Sequence, residues 1–152
     1  MVGTALRGAG QISVSRGTGD RRPLAEAEAA LERGEIVAIY PEGTVTQRPD
    51  HLPKEGRTGA VRLALATGAP IVPLASWGSQ AVWQKSGRGS LRFGRPIWVK
   101  AGPPIDLRDR AGVRDDPLAV RAMTDELMAV LTSMAEDLRD RYPKRWAVGS
   151  AS

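Results

Sequence analysis

Residues 36–44 constrain the fold more than any other stretch of the chain. They read Ile-Val-Ala-Ile-Tyr-Pro-Glu-Gly-Thr, so an apolar run stops at a proline and is followed by one carboxylate and a glycine. An apolar, β-branched run of this length predicts a buried strand. Ligands of α/β proteins bind just beyond the carboxyl ends of strands, which makes Glu42 a candidate site residue. The same residues also fit a strand followed by an ordinary turn.

Strand and helix patterns alternate along the chain. Apolar runs predict strands over residues 11–15, 35–40, 70–76, 90–93 and 96–100. Apolar periodicity, with proline near helix starts and glycine at helix ends, predicts helices over residues 23–33, 57–67 and 117–142. The β-α-β order predicts an α/β fold with a mixed, largely parallel sheet flanked by helices, ending in a long amphipathic helix. We expect one domain over residues 1–142 and a flexible tail over residues 143–152.

Composition excludes several classes of protein. The 152 residues include no cysteine, which rules out disulfides and thiolate zinc sites and fits a reducing compartment. No apolar stretch is long enough to cross a bilayer. His51 is the one histidine and falls in a predicted loop, and no carboxylate cluster accompanies it. The sequence therefore predicts no metal site, no cofactor and no nucleophilic triad.

The charge distribution points to an anionic partner. The net charge is +5, and no Asp or Glu occurs between Gly56 and Ile105. Such a span predicts a positive surface suited to phosphorylated small molecules, anionic lipid or nucleic acid, although arginine encoded by a GC-rich genome would give the same bias. Aromatic residues make up only 5% and are not interleaved with the basic ones, which argues against nucleic acid.

Three features are predicted to meet at one edge of the sheet. Arg16 closes the first predicted strand, Glu42, Gly43 and Thr44 follow the second, and Arg57 opens a helix. A guanidinium binds phosphate oxygens at two points, and a helix N-terminus favours the same anion. The residues therefore predict a pocket for a small phosphorylated polyol, with a structural Arg16–Glu42 ion pair as the alternative.

The order of these blocks resembles the glycerolipid acyltransferase family, of which 1-acyl-sn-glycerol-3-phosphate acyltransferase is the best-known type. Residues 10–16 are similar to the family's second motif and residues 40–44 to its third. Residues 56–66 are similar to its basic helix start, residues 71–74 to its fourth motif, and residues 93–97 to its closing strands. The resemblance covers about residues 8–106.

The resemblance implies a function and a set of binding residues. Arg16 would bind the acceptor phosphate, Glu42, Gly43 and Thr44 would shape the acceptor site, and Arg57 would join the phosphate ligands. The substrates would be lysophosphatidate and acyl-CoA or acyl carrier protein, and the product phosphatidate. The reaction would take place at an anionic membrane surface, on the cytoplasmic side of the cell membrane.

Two departures from the family pattern bear on activity. Val45 stands where relatives usually carry arginine, so Arg48 and Arg57 become the candidate replacements. The family's His-x4-Asp motif, which supplies the general base and the residue that orients it, is absent, so no catalytic residue is assigned. We expect a fragment truncated at the N-terminus and inactive alone, with exposed apolar surface near residues 36–40. A non-enzymatic lipid- or phosphate-binding remnant is the alternative.

Overall fold

The computed structural model describes residues 10–12, 14, 22–46, 48–82 and 94–146. Within them the α-helices are α1 Arg22–Glu32, α2 Gly59–Thr67, α3 Ser79–Val82 and α4 Pro117–Arg141. The strands are β1 Leu74–Trp77 and β2 Trp98–Ala101, and two 3₁₀-helices span Arg108–Val113 and Lys144–Trp146. None of the helices in these ranges is both long and apolar enough to cross a membrane.

The predicted helices form, with their ends set by the predicted signals. Gly68 follows α2 in the left-handed conformation, with φ of 70°, and donates its N–H to Ala64. Gly34 adopts a φ of 79° just beyond α1. At the start of α4, Pro117 occupies the first turn and Asp116 accepts a hydrogen bond from the N–H of Leu118 at 2.8 Å.

The long helix α4 joins two apolar clusters into one core. Its N-terminal half packs with α2 in a cluster that contains Val61, Ala64, Leu65, Leu107, Val120, Met123 and Leu127. Its C-terminal half packs on the sheet in a second cluster that contains Leu52, Ala75, Trp77, Met134, Ala135, Leu138 and Tyr142. The predicted tail begins with Lys144–Trp146, and Trp146 packs against this second cluster.

The sheet in the described residues has two antiparallel strands, so the predicted largely parallel sheet is not confirmed. Leu74 pairs with Ala101 and Trp77 with Trp98, and a single bridge joins Ile71 to Ile105. The predicted strands at 70–76 and 96–100 are therefore confirmed in position, but their directions oppose each other. The βα alternation predicted partly parallel strands because it counted residues 35–40 as one of the strands.

Residues 35–40 form neither a strand nor part of the core, so that prediction was wrong. Ile36 is 97% exposed and Tyr40 87% exposed. A strand needs backbone partners, and none of the described strands pairs with this segment. The exposed apolar surface predicted near this segment is present. Residues 90–93, also predicted as a strand, lie outside the described residues, as do Ser13 and Ser15 of the predicted strand at 11–15. Gln11, Ile12 and Val14 are described and belong to no strand.

One face of the small sheet is apolar and uncovered by the described residues. Ala75 and Trp77 point to α4 and are buried, whereas Leu74 and Val99 on the opposite face are 61% and 66% exposed. Val72 and Ile97, next to the strand starts, are also exposed. Two strands alone rarely form a stable unit in water, so the packing against α4 holds this sheet in place.

Removing one buried leucine from α4 is expected to reduce stability far more than removing an exposed one. Leu127 is 4% exposed and Leu118, on the same helix, is 80% exposed. Leu127→Ala leaves a cavity between α4 and α2 and lowers the free energy of unfolding by about 2–5 kcal/mol. Leu118→Ala changes it by less than about 0.5 kcal/mol. Urea denaturation measures both, and equal losses would contradict this description of the core.

Candidate functional site

The loop that carries the Pro-Glu-Gly-Thr motif folds back on itself like an irregular hairpin. The N–H of Arg57 donates to the carbonyl of Pro41 at 2.7 Å and closes its base. Midway along, the hydroxyl of Thr46 donates to the carbonyl of Leu52 at 3.0 Å. Leu52 is buried in the cluster below the sheet. The two arms of this loop, residues 41–46 and 52–57, therefore face each other, and we call it the motif loop.

Gly43 forms the turn at the start of the motif loop. Its N–H donates to the carbonyl of Tyr40 at 3.0 Å, and its φ is 63°. A β-carbon on Gly43 would lie 3.2 Å from Nε of Arg57. Glycine is favoured at this position because other residues avoid this φ. A side chain here would also displace the Arg57 side chain slightly, since that side chain packs against the turn.

Arg57 is the cation that the fold brings to the motif. Its side chain lies against Gly43, between the turn and the start of α2. Among the described residues its guanidinium has neither a carboxylate nor a hydrogen-bond partner, and the residue is exposed. Thr58, at the N-cap of α2, makes no side-chain cap hydrogen bond. Unneutralised guanidinium and helix N–H groups therefore lie close together, an arrangement that favours an anion.

Glu42 and Thr44 both contact Lys54 on the opposite arm. The N–H of Lys54 donates to Oε2 of Glu42 at 3.0 Å. Nζ of Lys54 donates to Oγ1 of Thr44 at 2.6 Å. Sequence reasoning missed Lys54 because it lies outside the motifs and has no helical or strand periodicity. Its position follows from the folding back of the motif loop, which no local pattern indicates.

Helix α4 fixes the second arm of the motif loop. Nη1 of Arg121 donates to the carbonyl of Gly56 at 2.8 Å and lies 3.5 Å from Glu55. Arg121 also pairs with Asp125, one turn further along α4. Gly56 is buried, and a β-carbon there would lie 2.5 Å from Sδ of Met128. The backbone just before Arg57 is therefore pressed against α4, which sets where Arg57 points.

The structure brings Arg57 to the predicted Glu42-Gly43-Thr44 segment, where its side chain packs against Gly43. Residues 35–40 form no strand, so the predicted meeting at a sheet edge is not observed. The roles of these residues stay predictions. Arg16 lies outside the described residues, and its predicted convergence with Glu42 also stays a prediction.

Two other polar residues of the motif loop do not join the site. Arg48, a candidate replacement for the absent arginine, is bound instead by Asp50 through contacts of 2.9 and 2.6 Å. His51 is exposed at the tip of the loop, with a φ of 56°. No group of three His, Asp or Glu in the described part of the chain could hold a metal ion.

The motif residues lie apart from the cleft between the first two helices. A shallow cleft of about 290 Å³ between α1 and α2 is lined by Glu28, Leu31, Glu32, Ala66, Thr67 and Ala69. None of the motif residues lines this cleft, and its two carboxylates, Glu28 and Glu32, would repel a phosphate. We therefore assign the candidate site to the motif loop.

Comparison with known proteins decides the family. The profile of the Acyltransferase family matches residues 1–77, which include the predicted second and third motifs and α2. The chain belongs to the acyltransferase family. It is 36% identical over 84 residues to a 1-acyl-sn-glycerol-3-phosphate acyltransferase of Cocos nucifera, covering 55% of this chain and 26% of that protein.

A solved structure shares the fold. The 1-acyl-sn-glycerophosphate (LPA) acyltransferase PlsC of Thermotoga maritima superposes with a TM-score of 0.55 at 24% identity. The match covers 81% of this chain and 46% of the Thermotoga protein. This acyltransferase chain thus spans less than half the length of either relative.

A methyl group added at Gly56 is expected to disturb the contact with α4. Gly56→Ala forces the buried Met128 side chain to move and costs about 1–3 kcal/mol of stability. Gly59→Ala is the matched control, because nothing lies within 4 Å of a β-carbon there. Thermal and urea denaturation measure both. In a Met128→Ala background the cost of Gly56→Ala falls. An unchanged stability loss in that background would show that the added methyl group does not contact Met128.

The Arg48–Asp50 pair gives a pH-dependent prediction. Hydrogen bonds from Arg48 lower the pKa of Asp50 from 3.8 to about 2. Because this pKa lies below its value in the unfolded chain, the pair stabilises the fold above about pH 4 and ceases to do so as the pH falls towards 2. In Arg48→Gln, carboxyl NMR titration should show the pKa of Asp50 rising towards 3.8. Arg33→Gln serves as control and leaves it unchanged; an unaltered titration in Arg48→Gln would refute the pairing.

Proposed function

We propose that this acyltransferase chain binds 1-acylglycerol-3-phosphate as acceptor in an acyl transfer that yields phosphatidate. The observation that carries the proposal is the packing of the Arg57 side chain, which has no carboxylate partner among the described residues, against Gly43 of the Pro-Glu-Gly-Thr turn. Two relatives with this acceptor in their names, one of them 36% identical, support it. Acyl-CoA or acyl carrier protein would serve as donor.

The site residues have distinct parts in this proposal. Arg57 binds the acceptor phosphate, since its five donors are free to fork onto two phosphate oxygens. Arg16 is proposed as a further phosphate ligand. Glu42 holds the opposite arm through the N–H of Lys54 and has a second oxygen that can accept a hydrogen bond from a glycerol hydroxyl. Gly43 lets the acceptor approach the backbone closely.

The reaction requires a positioned general base, and none is assigned among the site residues. A glycerol hydroxyl attacks the thioester carbonyl, a C–O bond forms, the C–S bond breaks, and the hydroxyl proton must be removed. A positioned general base is worth roughly 10²–10⁴-fold in rate. The 152-residue sequence contains no His-x4-Asp, and its one histidine, His51, is exposed at the loop tip. We therefore propose that these residues supply acceptor binding and have little turnover alone.

A second candidate function is phosphate- or lipid-binding without catalysis. It is favoured by the same observation, because a site with phosphate ligands and no base binds without reacting. The proposed location for either function is the cytoplasmic face of the membrane, where basic residues are attracted to anionic lipid by about 1 kcal/mol each.

Substitution of Arg57 is expected to weaken acceptor binding. Arg57→Gln removes charged hydrogen bonds worth roughly 1.5–3 kcal/mol, so affinity for 1-acylglycerol-3-phosphate falls about 10- to 100-fold in calorimetric titration. Glu42→Gln keeps an acceptor for the N–H of Lys54 while removing the charge, and alters hydroxyl recognition with little loss of stability. Arg110→Gln, at an exposed arginine paired with Glu126, is the matched control.

The two candidate functions separate in an acylation assay. Thioester-dependent acylation of lysophosphatidate is measured on the chain as given and again with any in-frame sequence encoded upstream of Met1. Turnover that appears in the longer form and is lost in Arg57→Gln supports the enzyme. Binding without turnover in both forms supports the non-catalytic alternative, and no binding of the phosphorylated acceptor to either form rejects both.

A further inference from the structure

We propose that Lys54 is an additional phosphate ligand of the acceptor site, with its ammonium positioned by the hydroxyl of Thr44. This inference rests on the proposed function and adds a binding residue to it. The juxtaposition that carries it is the contact of 2.6 Å between Nζ of Lys54 and Oγ1 of Thr44, next to the turn against which Arg57 packs.

Lys54 has no carboxylate partner, unlike most other cations in the described residues. Many basic side chains in the described residues have a carboxylate within 4 Å; these are Arg33, Arg48, Lys100, Arg108, Arg110, Arg114, Arg121, Arg139 and Arg141. Within the same part of the chain, Lys54, Arg57, Arg62 and Lys144 have no such partner, and of these four Lys54 and Arg57 contact the Pro-Glu-Gly-Thr segment. Both contact consecutive motif residues, Lys54 at Thr44 and Arg57 at Gly43.

The geometry of Lys54 suits a side chain that binds an anion. Its backbone is held by the hydrogen bond to Glu42, and Pro53 precedes it, so the start of the side chain is fixed. An ammonium group has three donors, of which Thr44 takes one. Two donors remain for phosphate oxygens, and little side-chain freedom is left to lose on binding.

The local charge also favours a cation in addition to Arg57 here. Glu42 carries a negative charge beside the site, and with Arg57 alone the local formal charge would be zero. A phosphomonoester carries close to two negative charges at neutral pH. Lys54 raises the local charge of these three side chains to +1, which turns a neutral surface into one that attracts the phosphate. Val45, exposed next to Thr44, contributes no charge.

The test uses the 152-residue chain and soluble glycerol 3-phosphate, with glycerol as the uncharged probe. Lys54→Met keeps the aliphatic stem and removes the charge, and it is expected to weaken glycerol 3-phosphate binding about 10- to 100-fold with no effect on glycerol. Lys54→Arg restores most of the affinity. Lys144→Met, at an exposed lysine of the C-terminal 3₁₀-helix, is the charge-matched control and binds like the parent chain.

The salt dependence adds a readout that a structural role would not change. Binding of glycerol 3-phosphate should lose part of its ionic-strength dependence in Lys54→Met but not in Lys144→Met. In the parent chain, the Cε resonance of Lys54 should shift on addition of glycerol 3-phosphate, which needs no variant to fold.

The outcomes separate this inference from the function on which it rests. If Arg57→Gln loses glycerol 3-phosphate and Lys54→Met binds it normally, Lys54 is not a ligand and the proposed function stands. If Lys54→Met loses thermal stability and Lys54→Arg does not restore binding, its role is to close the loop. If the parent chain binds no phosphomonoester, both proposals fail.

Discussion

The apolar face of α4 is the constraint on which the rest of the structure depends. Val120, Leu127 and Leu138 recur at helical spacing along 25 residues, and this one stripe covers α2 at one end and the sheet at the other. Neither partner could be stable alone, because α2 is a short helix and two strands bury little. The two clusters of the core are thus joined through α4, and a loop that packs against α4 is held in place by it.

The motif loop is attached in this way. Leu52 inserts into the cluster under the sheet, and Gly56 is held between Met128 and the guanidinium of Arg121. These two anchors fix the second arm of the loop, and cross-arm hydrogen bonds then fix Glu42 and Thr44 on the first. A loop of irregular backbone can hold a binding geometry only if a rigid element supports it. Here the support lies about 65 residues further along the chain.

Features that depend on residues close together in the sequence could be predicted, and features that depend on residues far apart in the sequence could not. Helix α4 was placed almost to the residue because its periodicity and its proline are local signals. Residues 35–40 were wrongly predicted as a buried strand, because whether an apolar run becomes a strand depends on distant partners. Arg57 was predicted to lie near the Pro-Glu-Gly-Thr segment and packs against Gly43. Lys54 was missed, since only the fold of the loop brings it to Thr44.

The net charge of +5 says less about the site than the pairing of individual cations does. An arginine that already forks onto a carboxylate, as Arg48 does onto Asp50, would have to break that pair before it could bind phosphate. Exposed pairs also contribute little field beyond a Debye length of about 8 Å at physiological salt. An anion is therefore drawn to the few places where cations are left unneutralised. In the described part of this acyltransferase, Lys54 and Arg57 meet that condition beside the Pro-Glu-Gly-Thr turn, so selectivity for a phosphorylated acceptor is a property of this loop and not of the overall basic surface.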